Sequence, residues 1–279
     1  MKRSLRVFAL LAFSPVLFGQ DWARAHVAKS PRHQEWVRVK RDGRSVEIFV
    51  VYPESKDKKP VVLVIHEIFG LTDWVEDLAD QVAEAGYIAV APDLLSGMGP
   101  NGGRTSDIDP SKVMEAVSHL PPDQVTGDLN AVADYGLKLP ASSGKLMVAG
   151  FCWGGGQSFR FATNRPDLAA AFVFYGPPPD KAAIPRIRGP VYGFYAGNDA
   201  RIDATLPDTI TQMKAAGKTF EPETYEGAGH GFMRAGEAPG ASDANRKARA
   251  AFPSSAPKTP TSCSAKVRNA TARSTTSAK

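Results

Sequence analysis

The segment at 147–156, Met-Val-Ala-Gly-Phe-Cys-Trp-Gly-Gly-Gly, constrains the fold of this chain more than any other. Leu146, Met147, Val148 and Ala149 form a short apolar run of the kind that makes a buried parallel strand. Gly150 and Gly154 flank Cys152 at the spacing G-x-C-x-G. That is the nucleophile-elbow pattern, with sulfur in place of a serine oxygen. Glycines belong there because the turn is tight and the following helix passes close to the strand. The elbow lifts the thiol clear of the sheet, at a helix N-terminus whose dipole and free N–H groups favour a thiolate. A glycine-rich turn carrying an incidental buried cysteine has the same local pattern.

Downstream residues separate the two cases. A strand-like run at 191–196 leads into Gly197-Asn198-Asp199. A second run at 220–225 leads into Glu226-Gly227-Ala228-Gly229-His230-Gly231-Phe232. Nucleophile, acid and histidine therefore follow the chain order of α/β-hydrolases, each in a loop after a strand. Taken singly, Asp199 is as well explained as a turn former or helix cap, and His230 as a surface histidine.

The remaining pattern predicts the sheet that carries these loops. Residues 35–40 and 46–51 alternate around Asp42-Gly43, a hairpin signal. Residues 61–65, 87–91 and 170–175 are further strands, and 73–85, 123–139, 156–163 and 208–216 have helical spacing. Strands alternating with helices imply an α/β-hydrolase architecture, a doubly wound, mainly parallel sheet flanked by helices. One such domain is expected over 26–252, a length sufficient for an ample core.

Charge is concentrated at the ends. The chain has a formal net charge of +5, yet Lys2, Arg3 and Arg6 open it and Lys258, Lys266, Arg268, Arg273 and Lys279 close it. The body between is mildly acidic, so nucleic-acid binding gains no support. The basic start followed by an apolar stretch at 7–18 resembles an export signal, too short to span a bilayer. A signal over 1–25 is expected, with cleavage after Gly19 or at Ala23-Arg24-Ala25. The mature protein is expected to be periplasmic or secreted, without a membrane anchor after signal removal; an N-terminal anchor or apolar helix is the alternative to a signal, and the cytoplasm the alternative location. Residues 253–279 are rich in Ser, Thr, Pro and Lys, and Val267 is their one aliphatic residue larger than alanine. Such a tail is expected to be disordered, and the closing helix begun at 245–252 stops early. The two cysteines, Cys152 and Cys263, leave no spare pair for a stabilising disulfide if Cys152 is catalytic.

These motifs resemble the dienelactone hydrolase family. The elbow at 150–155 and Gly-His-Gly-Phe-Met-Arg at 229–234 are similar to the family's nucleophile and histidine segments. Val64-Ile65-His66-Glu67-Ile68-Phe69-Gly70 and Ala91-Pro92-Asp93-Leu94 add two more matches. The resemblance runs over about 35–249. It implies Cys152 as nucleophile, His230 as base and Asp199 as the residue orienting it. It also implies that Glu67 contacts the resting sulfur and that Arg234 binds a substrate carboxylate. Helix capping by Glu67 and a surface ion pair for Arg234 are the structural alternatives. The family's second carboxylate-binding arginine has no match in register; Arg104, in a longer glycine-rich stretch, is the available candidate.

The implied chemistry is hydrolysis of a small ester or lactone through a thioester. The oxyanion would accept from the N–H groups of Ile68 and Trp153. Trp153, Phe151, Tyr175 and Phe232 are candidates for the acyl pocket, Phe232 as a substrate contact, although aromatics here equally serve a core. His66 is expected to be structural or a rim residue. No metal-ligand spacing, phosphate loop or dinucleotide motif is present, so no cofactor is implied, and a monomer is expected. A hydrolase-fold binding protein without turnover is the competing class. A thiol redox protein is disfavoured, since no C-x-x-C or nearby resolving cysteine exists.

Overall fold

The computed structural model of the chain describes residues 20–252. Eight strands form one sheet: β1 (Gln34–Arg41), β2 (Arg44–Val51), β3 (Lys59–Ile65), β4 (Ile88–Asp93), β5 (Ser142–Phe151), β6 (Leu168–Phe174), β7 (Val191–Asn198) and β8 (Phe220–Gly229). The order is β1-β2-β4-β3-β5-β6-β7-β8. β2 pairs antiparallel with both β1 and β4, while every pairing from β4 to β8 is parallel. The expected α/β-hydrolase architecture is therefore present. At the β1–β2 hairpin, Asp42 and Gly43 have φ of 47° and 77°, the two left-handed positions of a tight two-residue turn.

Helices cover both faces because the parallel strands are apolar on both sides. The first helices are α1 (Asp21–Lys29), α2 (Asp73–Glu84), α3 (Pro110–Ser118), α4 (Pro122–Lys138) and α5 (Trp153–Asn164). They are followed by α6 (Ala200–Asp203), α7 (Leu206–Ala215), α8 (Phe232–Ala235) and α9 (Asp243–Ala250). Val113, Leu129, Val132, Phe159 and Met213 of α3, α4, α5 and α7 pack with Ile48, Leu63, Val90 and Val148. On the opposite face Trp74, Leu78, Met233 and Ala248 of α2, α8 and α9 pack with Val62, Val64, Ala89 and Phe172. Alternate residues of each strand thus feed two cores.

Three features depart from the sequence expectations. Residues 226–229 were expected to be loop but extend β8, with a register shift opposite Ala196–Asn198. α3 had no sequence signal. α1 straddles the expected end of the leader, and its Ala23 is fully buried. Arg24 donates to Asp73 at 2.8 Å and Ser30 to Asp80 at 2.5 Å, so α1 is riveted along α2. The start of α2 is held too, its Trp74 N–H donating to Gln20 Oε1 at 2.9 Å. The expected closing helix is α9, after which Phe252 places its ring 4.8 Å from Phe194 and 5.1 Å from Phe174. The disordered tail expected at 253–279, including Cys263, lies outside the described residues, as do residues 1–19.

Candidate active site

The elbow is built by two close approaches. A Cβ on Gly150 would collide with the Gly154 carbonyl, and one on Gly154 would collide with the carbonyls of Ile65 and His66. Only glycine lets α5 start directly over the end of β3. Cys152, between them, has φ 56° and ψ −116°, a conformation that costs a non-glycine residue about 1–3 kcal/mol. The surrounding backbone holds it there. Its N–H donates to Phe174 O at 3.0 Å, and its carbonyl accepts from Gly155 and Gly156 at 3.0 and 3.3 Å.

The three loops bring sulfur, imidazole and carboxylate into a chain. His230 Nε2 lies 3.0 Å from Cys152 Sγ, and His230 Nδ1 lies 2.5 Å from Asp199 Oδ2. Since a carboxylate only accepts, Nδ1 carries the proton and Nε2 faces the thiol as a base. Asp199 fills both of its sequence roles: its other oxygen, Oδ1, accepts from Ile202 N at 3.4 Å and caps α6. His230 is held from behind by α9, where Asn245 Oδ1 accepts the Gly229 N–H at 2.9 Å. No sequence motif marks Asn245, because only the packing of α9 brings it to the loop.

Burial and the Glu67 charge push the Cys152 thiol up to about 11. The backbone N–H groups of Trp153 and Ile68 donate to the sulfur and pull the other way. At neutral pH the resting thiol is therefore neutral, with His230 Nε2 as the acceptor within reach of its proton. The same two amides stand where an oxyanion beside the sulfur would need donors.

Glu67 departs from expectation. Its carboxylate does not hydrogen-bond the sulfur; it accepts from Arg234 Nε at 2.6 Å and from Tyr175 Oη at 3.5 Å. Nor does it cap α2, whose N-cap is Thr72. The sulfur's partner is His230 instead, while the Glu67 charge acts on it through space. Arg234 forms this mostly buried pair rather than a surface one, with its Cζ 5.1 Å above the Phe69 ring. Replacing Glu67 with Gln is expected to lower the thiol pKa by roughly one unit or more, since removing a like charge favours the thiolate. The pH midpoint of Cys152 alkylation by iodoacetamide measures this. An unmoved midpoint would show that the Glu67 charge does not reach the sulfur.

One expectation fails, and one open candidate is engaged elsewhere. Phe232 is fully buried among Tyr175, Tyr225 and Phe252, so it is a core residue and cannot touch substrate. Arg104 stacks its guanidinium 3.6 Å over the Trp36 ring, in the wall of a cavity of about 550 Å³ that Cys152 and His230 do not line. The long glycine-rich stretch gives Arg104 the reach to find that aromatic partner. Tyr175 is also fully buried, with its ring 5.1 Å from His230. Among the described residues, no group of three or more His, Cys, Asp or Glu side chains is placed to hold a metal ion. No described helix is long and apolar enough to cross a membrane.

A thiol on a strand-to-helix elbow, backed by a His–Asp pair and two converging amides, defines a cysteine-dependent α/β-hydrolase. The profile of the dienelactone hydrolase family matches residues 46–254, and the chain belongs to that family. It is a carboxylic ester or lactone hydrolase. A Saccharolobus solfataricus protein bearing the name carboxymethylenebutenolidase is 33% identical over 230 residues, spanning 69% of this chain and 86% of its own. The carboxymethylenebutenolidase of Pseudomonas putida is 28% identical over 198 residues, spanning 69% and 83%. Among solved structures, a Klebsiella pneumoniae dienelactone hydrolase superposes with a TM-score of 0.68 at 26% identity, over 78% of this chain and 95% of that one.

Proposed function

We propose that the chain hydrolyses small lactones or short carboxylic esters through a thioester on Cys152. The observation that carries this is the 3.0 Å approach of His230 Nε2 to a sulfur that also accepts the Ile68 and Trp153 N–H groups. His230 takes the thiol proton as sulfur attacks the carbonyl carbon, and the two amides receive the negative oxygen. Collapse expels the alkoxide, which takes the proton from His230. Water, deprotonated by His230, then attacks the thioester, releasing the acid and restoring the thiol. Asp199 holds the imidazole in the required tautomer throughout.

Relatives named for cleaving a carboxymethylene butenolide support substrates that bear a carboxylate. Arg234 is the cation that such a group would meet beside the elbow. With Arg104 committed to Trp36, one arginine rather than two serves that end of the substrate. Arg234→Ala is expected to raise KM about tenfold more for anionic lactones than for neutral esters, as loss of one charge-assisted contact would, since both classes share any change that the unpaired Glu67 imposes on the thiol. A panel of both substrate types is the test, and an unchanged KM for the anionic ones would remove Arg234 from substrate contact.

We also propose export, with processing after Gly19. The basic start and apolar stretch support it, and a cut there leaves α1 whole, whereas one after Ala25 would divide it. Intact mass of the protein recovered from its native host is expected to begin at Gln20. A chain that starts at His26, or one that retains Met1, would refute this.

A further inference from the structure

We propose that His66 is a positioning residue that aims both amide donors of the oxyanion hole. Its ring is fully buried and stands between the two loops that supply them. His66 Nδ1 lies 2.7 Å from Glu67 O. That carbonyl belongs to the same peptide group as the Ile68 N–H. In a trans peptide the C=O and N–H point in opposite directions. A donor fixed on the carbonyl therefore fixes where the Ile68 N–H points, which is toward the Cys152 sulfur. Polarising the carbonyl also strengthens the N–H as a donor.

The other loop is held by the ring face. The His66 imidazole stacks on the Trp153 indole, with centroids 5.4 Å apart and planes 12° from parallel. Trp153 opens α5 and provides the second amide. One flat side chain thus touches both donor residues, and neither contact requires it to meet substrate.

Packing alone does not account for an imidazole at this place. A carbonyl only accepts, so Nδ1 carries the hydrogen and Nε2 is left as a bare acceptor. Nε2 is buried and has no hydrogen-bond partner. An unpaired buried nitrogen is unfavourable, and phenylalanine or leucine would fill the volume without it. What imidazole adds is the N–H on Glu67 O. Burial lowers the His66 pKa, which keeps the ring neutral and this tautomer populated. The Glu67 carbonyl has a second donor, the Gly70 N–H at 3.2 Å, so removal of His66 loosens the peptide plane without freeing it.

The inference rests on the acyl-transfer reading above. Its test compares His66→Phe, which keeps a flat ring against Trp153 but has no N–H, with His66→Asn, whose amide N–H can occupy the Nδ1 position. With p-nitrophenyl acetate, His66→Phe is expected to lower kcat ten- to a hundredfold while KM stays within about twofold. That loss is smaller than the 10²–10³ expected for deleting a donor outright, because the amide is misaimed rather than removed. Affinity for a trifluoromethyl ketone, which forms a tetrahedral adduct on the thiol, should fall in parallel. His66→Asn should recover most of both losses. If His66→Phe does not fold, His66→Leu against His66→Asn makes the same comparison of N–H absent and present. Unchanged kcat without the N–H, or a loss that His66→Asn does not restore, would overturn the role. Failure of the underlying reading looks different: wild type and Cys152→Ala would then turn over the ester equally, and that outcome overturns both.

Discussion

Cys152→Ala is expected to lower kcat/KM for a short activated ester by at least about 10⁴-fold, the scale seen when the nucleophile of a triad is deleted. The sulfur is the one atom that His230, Ile68 and Trp153 all address. Without it His230 has no thiol to deprotonate. Water drawn into the space would have to attack without the covalent step that divides the reaction in two. Stability should change little, because alanine keeps the Cβ that makes φ 56° costly and the backbone bonds that hold it there. Initial rates on p-nitrophenyl acetate, with the thermal midpoint as a folding control, are the measurement. Activity within tenfold of wild type would end the thioester mechanism.

Asp199→Asn is expected to reduce kcat by about 10⁴ with little change in KM, as in other triads when the orienting acid loses its charge. Asp199 Oδ2 lies 2.5 Å from His230 Nδ1 and accepts its hydrogen. An asparagine that turns its amide N–H toward that nitrogen would stabilise the opposite tautomer. The hydrogen would then sit on Nε2, facing a thiol that it cannot deprotonate. The capping bond from Ile202 N to Oδ1 can survive in asparagine, so α6 should persist and the loss should appear in the chemical step. Single-turnover acylation measured beside kcat separates this from slow product release. A variant that acylates at the wild-type rate would show that His230 is oriented by something else.

Much of this was legible before any coordinates, and for local reasons. A G-x-C-x-G turn, a hairpin at Asp42-Gly43 and apolar runs of strand length each reflect constraints felt within a few residues. The chain order of Cys152, Asp199 and His230 carries across because a parallel sheet places the loops after successive strands along one edge. The fold and the proximity of these three groups therefore followed from short-range pattern plus topology.

Other features were illegible because they depend on residues far apart in the chain. Nothing near Glu67 announces that Arg234, 167 positions later, will bind its carboxylate in place of the sulfur. Phe232 was one of the aromatic candidates for the acyl pocket, but the turn at Gly231 (φ 77°) carries its ring into the core. Arg104 looked available to substrate until Trp36 on β1 and Glu47 on β2 engaged it. α1 was obscured because its apolar contacts lie on α2 rather than in its own sequence.

By itself, then, the sequence determined the elbow, the parallel sheet and the three loops whose cysteine, acid and histidine meet, since backbone sterics and hydrophobic periodicity act over a few residues. Tertiary structure alone decided which charges neutralise one another, which aromatics stay dry and which side chain lies against both Glu67 O and Trp153. Those outcomes turn on distance and burial, and both are set only when segments a hundred residues apart close around the same atoms.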